Sequence, residues 1–389
     1  MSDVEPNVDW HRLELHQSIE AHDLAYVTVR ARFLRYFDTM APNTPVTISY
    51  GNNAGVSGYF IGYVVSITPA VEVGKNVFER ELVCIAASRI LRNTARNTWR
   101  NRTAPEIVQD IGKKMGFRVI TKQHGLRKKQ VVQGGDTYWE FLTKLAKMTG
   151  YTLRVEGTTL YFLPLSDMVA AFASVSPVLA DTNSTDYRTT LSKWDATIGN
   201  TSDDDEDRSD SAVVVAMGPN DTSPQDVKEV PTSAMRRRRA TSSVYEKYNG
   251  SVVAHSRADA QLLAKAMADR GAMAYDGHAE GAGDPMLAPY RPVYIQTTDT
   301  TSNGYWIVKS VVHTVNVNVY TCQTVVSTDE VTPQRAAPPA YRVRDLSQEL
   351  QQGWSPFTFS GSRLKPLSHS FVAGNTFRPD GLVAQWVAV

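Results

Sequence analysis

Three stretches of this chain carry residue types that could do chemistry. The first is the aromatic run Tyr138-Trp139-Glu140-Phe141-Leu142. Aromatic rings on an exposed helix can stack on bases or sugars, but Tyr138, Phe141 and Leu142 fall at helical spacing, the usual mark of a packed core. Glu140 then lies on the outer side of that helix, with no second carboxylate marked for glycoside chemistry. The second stretch runs from Arg89 to Lys129 and sets twelve Lys and Arg against Glu106 and Asp110, a local balance of +10. It reads as a solvated face, or as a docking surface for an acidic partner or nucleic acid. The third is a pair of opposed charge blocks, Asp203-Asp204-Asp205-Glu206-Asp207 and Arg236-Arg237-Arg238-Arg239. Such blocks read as solvated loops, although tetra-arginine can also bind phosphate or an acidic neighbouring subunit.

No motif specifies a catalytic centre. G-x-S-x-G, H-E-x-x-H, the P-loop and G-x-G-x-x-G are all missing from the sequence. The eight histidines are scattered, and His313, in an apolar run, reads as a satisfied core or interface histidine rather than a ligand. Cys84 and Cys322 lie far apart in apolar runs and read as small buried hydrophobes. That excludes a disulfide scaffold and disfavours a metal cluster. The expectation is no catalytic residue, no cofactor-binding residue, no metal ligand and no cofactor. Convergent sites carry no local signature, so missing motifs alone do not exclude an enzyme.

The elements that must position these residues follow from pattern and length. A chain of 389 residues is too long for one ordinary core and implies two or three domains. Hydrophobic content of 42%, charge at 21% and a net charge of +1 describe an ordinary globular protein, with no global field drawing it to nucleic acid or membrane. The first residues lack a basic head with an apolar run, and no stretch approaches the ~20 apolar residues of a membrane span. The expectation is a protein made and folded in a cytoplasm.

Residues 8–86 alternate in the β manner, with five or more strands and no long helix, as in a small barrel or sandwich. Gly58 and Gly62 mark a bulge or bend in the strand from Val56 to Ile67. Residues 87–102 read as a basic connector. Two helix-then-strand units follow. Thr103, Pro105 and Glu106 form a capping box ahead of a stripe of Ile107, Val108, Ile111 and Met115 that stops at Gly116. Asp136 is placed as the cap of the second helix, which stops at Gly150. Tyr151 to Val155 and Thr159 to Phe162 then flank Glu156-Gly157 as a hairpin. Farther on, Ser256 and Asp259 open an Ala-rich helix with Ala258, Leu262, Leu263 and Ala266 on one side. Strands return at Val293 to Ile295, Tyr305 to Val308, Val311 to His313 and Val317 to Val326.

The predicted fold is mainly β with an α/β insert, an α+β chain. Residues 1–88 form a first β domain, a small barrel or sandwich by pattern and a tube-like β-barrel by the family resemblance that follows. Residues 89–165 form a small α/β domain. Residues 166–331 form a second tube-like barrel with a long charged loop at 201–243 and one Ala-rich helix. Residues 332–389 form an extended Pro-rich and aromatic tail that folds against a partner.

Two phrases in this order resemble one family. The first is the T-x-x-E helix from Thr103 to Gly116, followed by aspartate-x-x-Trp-Glu-Phe-Leu-x-x-Leu-Ala from Asp136 to Ala146 and the hairpin of Gly150 to Phe162. The second is Gly283-Asp284-Pro285-Met286-Leu287 with Gly304-Tyr305-Trp306-Ile307-Val308 and Val311-Val312-His313. Over residues 8–330 the chain resembles phage baseplate or tail-tip hub proteins. That family includes the late-control protein D group and the N-terminal half of the type VI secretion spike protein.

The resemblance implies a structural, non-enzymatic virion protein at the tail tip, assembled in the host cytoplasm. Its implied form is a homotrimer whose six barrels make a pseudo-sixfold ring. That ring adapts a sixfold tail tube, or a distal tail protein, to a threefold spike. Its bore passes the tape measure protein and, transiently, DNA. No lysozyme-like insert and no β-helical spike is visible, so those roles fall to a separate spike or tip protein or are absent. The competing readings are a tail-associated cell-wall-degrading enzyme, and a glycan- or nucleic-acid-binding module using the Arg89 to Lys129 surface.

Overall fold

The computed structural model describes residues 8–37, 41–51, 57–74, 76–172, 177–181, 189–197, 211–217, 223–229, 246–271, 273, 275–298, 302–316, 319–328, 357–360 and 363–366. The blocks Asp203 to Asp207 and Arg236 to Arg239, and most of the 332–389 tail, lie outside the described residues.

The first strands are β1 (Val8–Ser18), β2 (Leu24–Ala31), β3 (Pro45–Gly51), β4 (Ser57–Ile67), β5 (Val71–Gly74) and β6 (Val77–Ala86). Alternating burial puts one face of β2 and of β3 inward, whereas β5 is exposed throughout. The path β1-β2-β6-β4-β3, with β5 on β6, wraps one core that includes Leu15, Val27, Ile48, Phe60, Val64 and Leu82. The bulge in β4 falls between Val64 and Ser66, not at a glycine. Gly62 has a different role: a Cβ there would lie 2.0 Å from the Ile85 carbonyl oxygen. Only a residue without one lets β6 approach this closely.

The expected basic connector is structured. It begins as a 3₁₀ turn, Ala87–Arg92, and continues as β7 (Thr94–Arg102). The rest of the island is α1 (Ala104–Met115), β8 (Arg118–Thr121), β9 (Lys128–Thr137), α2 (Tyr138–Thr149), β10 (Tyr151–Glu156), β11 (Thr159–Pro164) and α3 (Leu165–Phe172). β7 pairs with β9 as a two-stranded ribbon. Its charge-rich wording hid a strand because the other face of β7, carrying Ala95 and Trp99, packs on the island core. The α1 capping box forms as expected: Thr103 Oγ1 accepts from Glu106 N at 3.3 Å, and Glu106 accepts in return at 3.0 Å. In α2 the cap is Thr137 rather than Asp136, with the same reciprocal pair to Glu140 at 3.2 and 2.9 Å. β9 extends through Asp136, so the helix turn starts one residue later. Asp136 instead meets Lys144 at 2.8 Å.

The remaining strands are β12 (Val178–Ala180), β13 (Thr189–Thr197), β14 (Ser211–Ala216), β15 (Gln225–Glu229) and β16 (Glu246–Ala254). Helix α4 (Arg257–Gly271) precedes β17 (Tyr275–Ala282), β18 (Pro292–Gln296), β19 (Gly304–Asn316) and β20 (Tyr320–Thr328). A hairpin of β21 (Phe357–Ser360) and β22 (Arg363–Pro366) follows. The order β18-β12-β13-β17-β20-β19, with β19 returning to β18, is a closed six-stranded barrel. Its core includes Leu191, Ile295, Trp306, Val308, Val311 and Val326. The two strands read from Tyr305 to His313 are one, β19, interrupted only by a register shift between Val308 and Ser310.

The segment assigned to a charged loop and a barrel helix contains a separate layer. β15-β14-β16 form their own sheet, and α4 packs on it through Ala260, Leu263, Ala264 and Ala268. The other side of α4 sends Ala266 and Leu262 into the island core. Ala258, expected on the apolar side, is exposed. Two buried faces explain the many alanines, whose short side chains let backbones close in. Gly150, which ends α2 at φ 68°, is pressed so near α4 that a Cβ would sit 2.7 Å from Met267 N.

The aromatic phrase is core. Tyr138, Phe141 and Leu142 are buried, and Phe141 stacks on Trp99 with ring centroids 5.3 Å apart and planes 13° apart. Phe141→Ala is therefore expected to cost ~3–5 kcal/mol of stability in urea denaturation. A near-neutral result would contradict the packing.

Candidate functional site

The geometry that sets this chain apart is where its three parts meet. Strand β10 of the island carries Arg154, which points at the turn between β1 and β2. There its guanidinium donates to both oxygens of Asp23, at 2.6 and 2.7 Å, and to the Ser18 carbonyl at 3.3 Å. Gln17 Nε2 adds a bond to Asp23 at 3.0 Å. Arg154 and Asp23 are 3% and 8% exposed in their side chains, so this is a bidentate ion pair taken out of water. Burial opposes the Arg154 charge, but the adjacent Asp23 carboxylate holds its pKa above the ordinary value. Burial also raises the Asp23 carboxyl, against the pull of Arg154. Two residues along β10, Glu156 accepts from Arg291 of the barrel at 2.8 Å. Arg270 of α4 bonds the Tyr151 carbonyl at 3.0 Å and pairs with Glu20. One island strand is thus tied to the N-terminal sheet, to the barrel and to the β14 layer's helix.

A second cluster sits on β19. His313 is fully buried, opposite Leu15 of β1 and Cys322 of β20. Its Nε2 lies 3.0 Å from the Leu287 carbonyl, which can only accept, so Nε2 carries the proton. Nδ1 is then the acceptor, 2.9 Å from the Tyr320 hydroxyl and 3.1 Å from Cys322 Sγ. Cys and His at this distance have the look of a nucleophile and its base. The chemistry points the other way. Burial drives the Cys322 thiol up to about 12 and His313 down to about 3. A thiol that stays protonated beside an imidazole that stays neutral, inside a core, is a packing group. Sequence spacing could not have paired Cys322 with His313, because antiparallel register sets that contact.

The basic stretch divides in the folded chain. Arg127 and Arg102 pair with Glu106, Lys122 with Asp167, and Lys114 reaches the Tyr138 hydroxyl at 2.8 Å. Arg96 and Arg100 stand on the exposed face of β7 with no acid partner among the described residues. Trp139 is half-buried, its ring 4.3 Å from that of His22, and Glu140 is engaged as a helix cap. No group of three His, Cys, Asp or Glu able to hold a metal occurs among the described residues. No described helix is long and apolar enough to cross a membrane.

A mainly β chain with a closed six-stranded barrel, a second curved sheet continuous with it and an α/β island at their junction defines the class of tail-hub folds. Residues 36–319 match the phage tail baseplate hub (GPD) family, and the chain belongs to that family. It is a structural protein of a phage tail baseplate, and so a component of the virion. Solved structures share the fold at low identity. One is a component of the type VI secretion system of E. coli, described as similar to T4 bacteriophage tail proteins. It is 11% identical, with a TM-score of 0.54 over 85% of this chain and 76% of that one. A tail protein of Neisseria meningitidis is 12% identical, with a TM-score of 0.53 over 82% and 92% of the two chains. A 43 kDa tail protein of a Shewanella oneidensis prophage is 13% identical, with a TM-score of 0.52 over 82% and 95%. No curated protein matches the chain by sequence.

Two outcomes follow from this junction. Asp23→Asn leaves the Arg154 charge buried and unpaired, and should cost ~3–5 kcal/mol in chemical denaturation. The double change Asp23→Leu with Arg154→Met should cost less than that single change, since it removes both charges together. The second outcome concerns pH. His22 and His124 are held down to about 4 and His313 to about 3, burial being the main cause in each. The unfolded chain therefore takes up these protons first as pH falls below ~6.5. Stability is full above that pH and is lost toward pH 4, by up to ~1.4 kcal/mol per pH unit for each histidine. Asp23, whose carboxyl is raised, opposes this in the acid range, but it is one group against three. A urea midpoint equal at pH 7 and pH 5 would contradict the burial of the imidazoles.

Proposed function

We propose that three copies of this chain form a ring that joins the sixfold tail tube to a threefold spike or tip. The observation that carries the reading is the edge-to-edge pairing of two β units in one chain through β1 and β19. Each protomer then offers two tube-forming modules, residues 1–88 and 166–331, held by the island at 89–165, and three protomers offer six. A ring would cover sheet edges that have no strand partner among the described residues, such as β3 at the end of the ladder. The bore of the ring would pass the tape measure protein and then DNA. The spike would be a separate protein, and the 332–389 tail would clasp a neighbouring subunit or that spike.

In this reading the chain has no enzymatic activity. The most nucleophile-like pair in the described fold, Cys322 and His313, is sealed and protonated the wrong way for catalysis. Purified protein is expected to show three times the chain mass by light scattering. Imaging of particles is expected to show threefold density with six β modules at the tail end. A chain that stays monomeric at all concentrations, in particles with no such density, would remove the ring. Clearing of peptidoglycan by the purified chain would remove the non-enzymatic reading.

A further inference from the structure

The 3₁₀ turn Ala87–Arg92 lies at the seam between the N-terminal sheet and the island, and it places two cations side by side. In a 3₁₀ helix, residues three apart eclipse one another, with an axial separation of ~6 Å. Arg89 and Arg92 therefore leave the turn on the same side. They line a cleft of about 360 Å³ together with Asn43, Tyr63, Ile90 and Asn93. No acid lines it. Arg89 is anchored by one nitrogen on the Val64 carbonyl at 3.4 Å. Asn93 is fixed by a bond from its Nδ2 to the Ile90 carbonyl at 2.9 Å, while its own carbonyl accepts from Tyr138 N at 3.1 Å. Arg92 is exposed, with no acidic partner among the described residues, and its charge helps burial to depress His22.

We propose that this cleft is a carboxylate-binding site that takes an acidic segment of a partner protein in the tail. Two guanidinium groups lining one small cavity suit the planar, two-oxygen geometry of an Asp or Glu side chain. The alternative occupant, a nucleic-acid backbone, calls for a track of cations at phosphate spacing rather than a cleft sized for one or two side chains. The choice of a protein partner rests on the reading of the chain as one part of a protein assembly. The binding chemistry does not, and it is tested on the purified full chain whatever its oligomeric state.

The probe is a fluorescent oligo-glutamate peptide, with inorganic phosphate and a short DNA duplex as rivals. Wild-type chain is expected to bind the peptide. Arg92→Ala should weaken binding about tenfold and Arg92→Glu should abolish it, because a charge-assisted bond is lost or reversed. Arg92 is exposed, so both variants should keep the wild-type circular dichroism spectrum. Arg118→Ala, which removes an exposed cation away from the cleft, should leave affinity unchanged. The imidazole of His22 should titrate at higher pH when the peptide is bound, since the carboxylate offsets the field of Arg92. Absence of peptide binding would overturn the proposal. So would an equal loss on Arg118→Ala, or displacement of the peptide by the duplex or by phosphate at matched ionic strength.

Discussion

The structure depends on one strand being shared. β19 is 13 residues long and pairs with three others. Its first residues close the six-stranded barrel against β18, Ile307 to Val315 lie beside β20, and its later residues continue into β1 of the N-terminal sheet. A strand has only two hydrogen-bonding edges. β19 therefore divides one edge between β18 and β1, and the switch falls at the register shift between Val308 and Ser310. A bulge raises local twist and re-aims the strand, as departure from a closed barrel requires. Both β units inherit their relative orientation from that strand.

Burial at the joint then dictates its chemistry. His313 lies on the later half of β19 with no access to solvent, so both ring nitrogens need partners and the neutral form is enforced. The same logic governs Arg154 and Asp23. A lone charge at either position would be severely penalised. The pair, with Gln17 and the Ser18 carbonyl, satisfies most of the donors and acceptors involved. Such a pair adds little net stability compared with apolar residues, but it tolerates only one docking geometry. In a hub that must hold two modules in fixed relation, geometry matters more than a small gain in free energy.

The charged stretch shows how folding sorts residues of one type into different roles. Arg127 and Lys122 are tied to acids, and Arg89 braces the Val64 carbonyl of β4. Arg92, Arg96 and Arg100 project with no acid partner among the described residues. The ribbon β7–β9 and the turn before it form a platform whose inner face is Trp99 stacked on Phe141 and whose outer face is cationic. The core that makes the island rigid thereby also holds its free charges in register.

The sequence by itself determined the local units. The capping box of α1, the αL glycines at Gly116 and Gly150, the hairpin at Gly157 and the stripes of α1 and α2 are all short-range, because a helix or tight turn is specified by residues within about five positions. The wording and order of these units were enough to point to the family. Tertiary structure alone decided that Asp23 meets Arg154 across 131 residues, that Cys322 faces His313, that β7 is a strand, and that β14–β16 with α4 form a layer of their own. In each case the deciding term is burial against an element far away in sequence. Charge and alternation in one segment cannot report which distant edge or core will cover it.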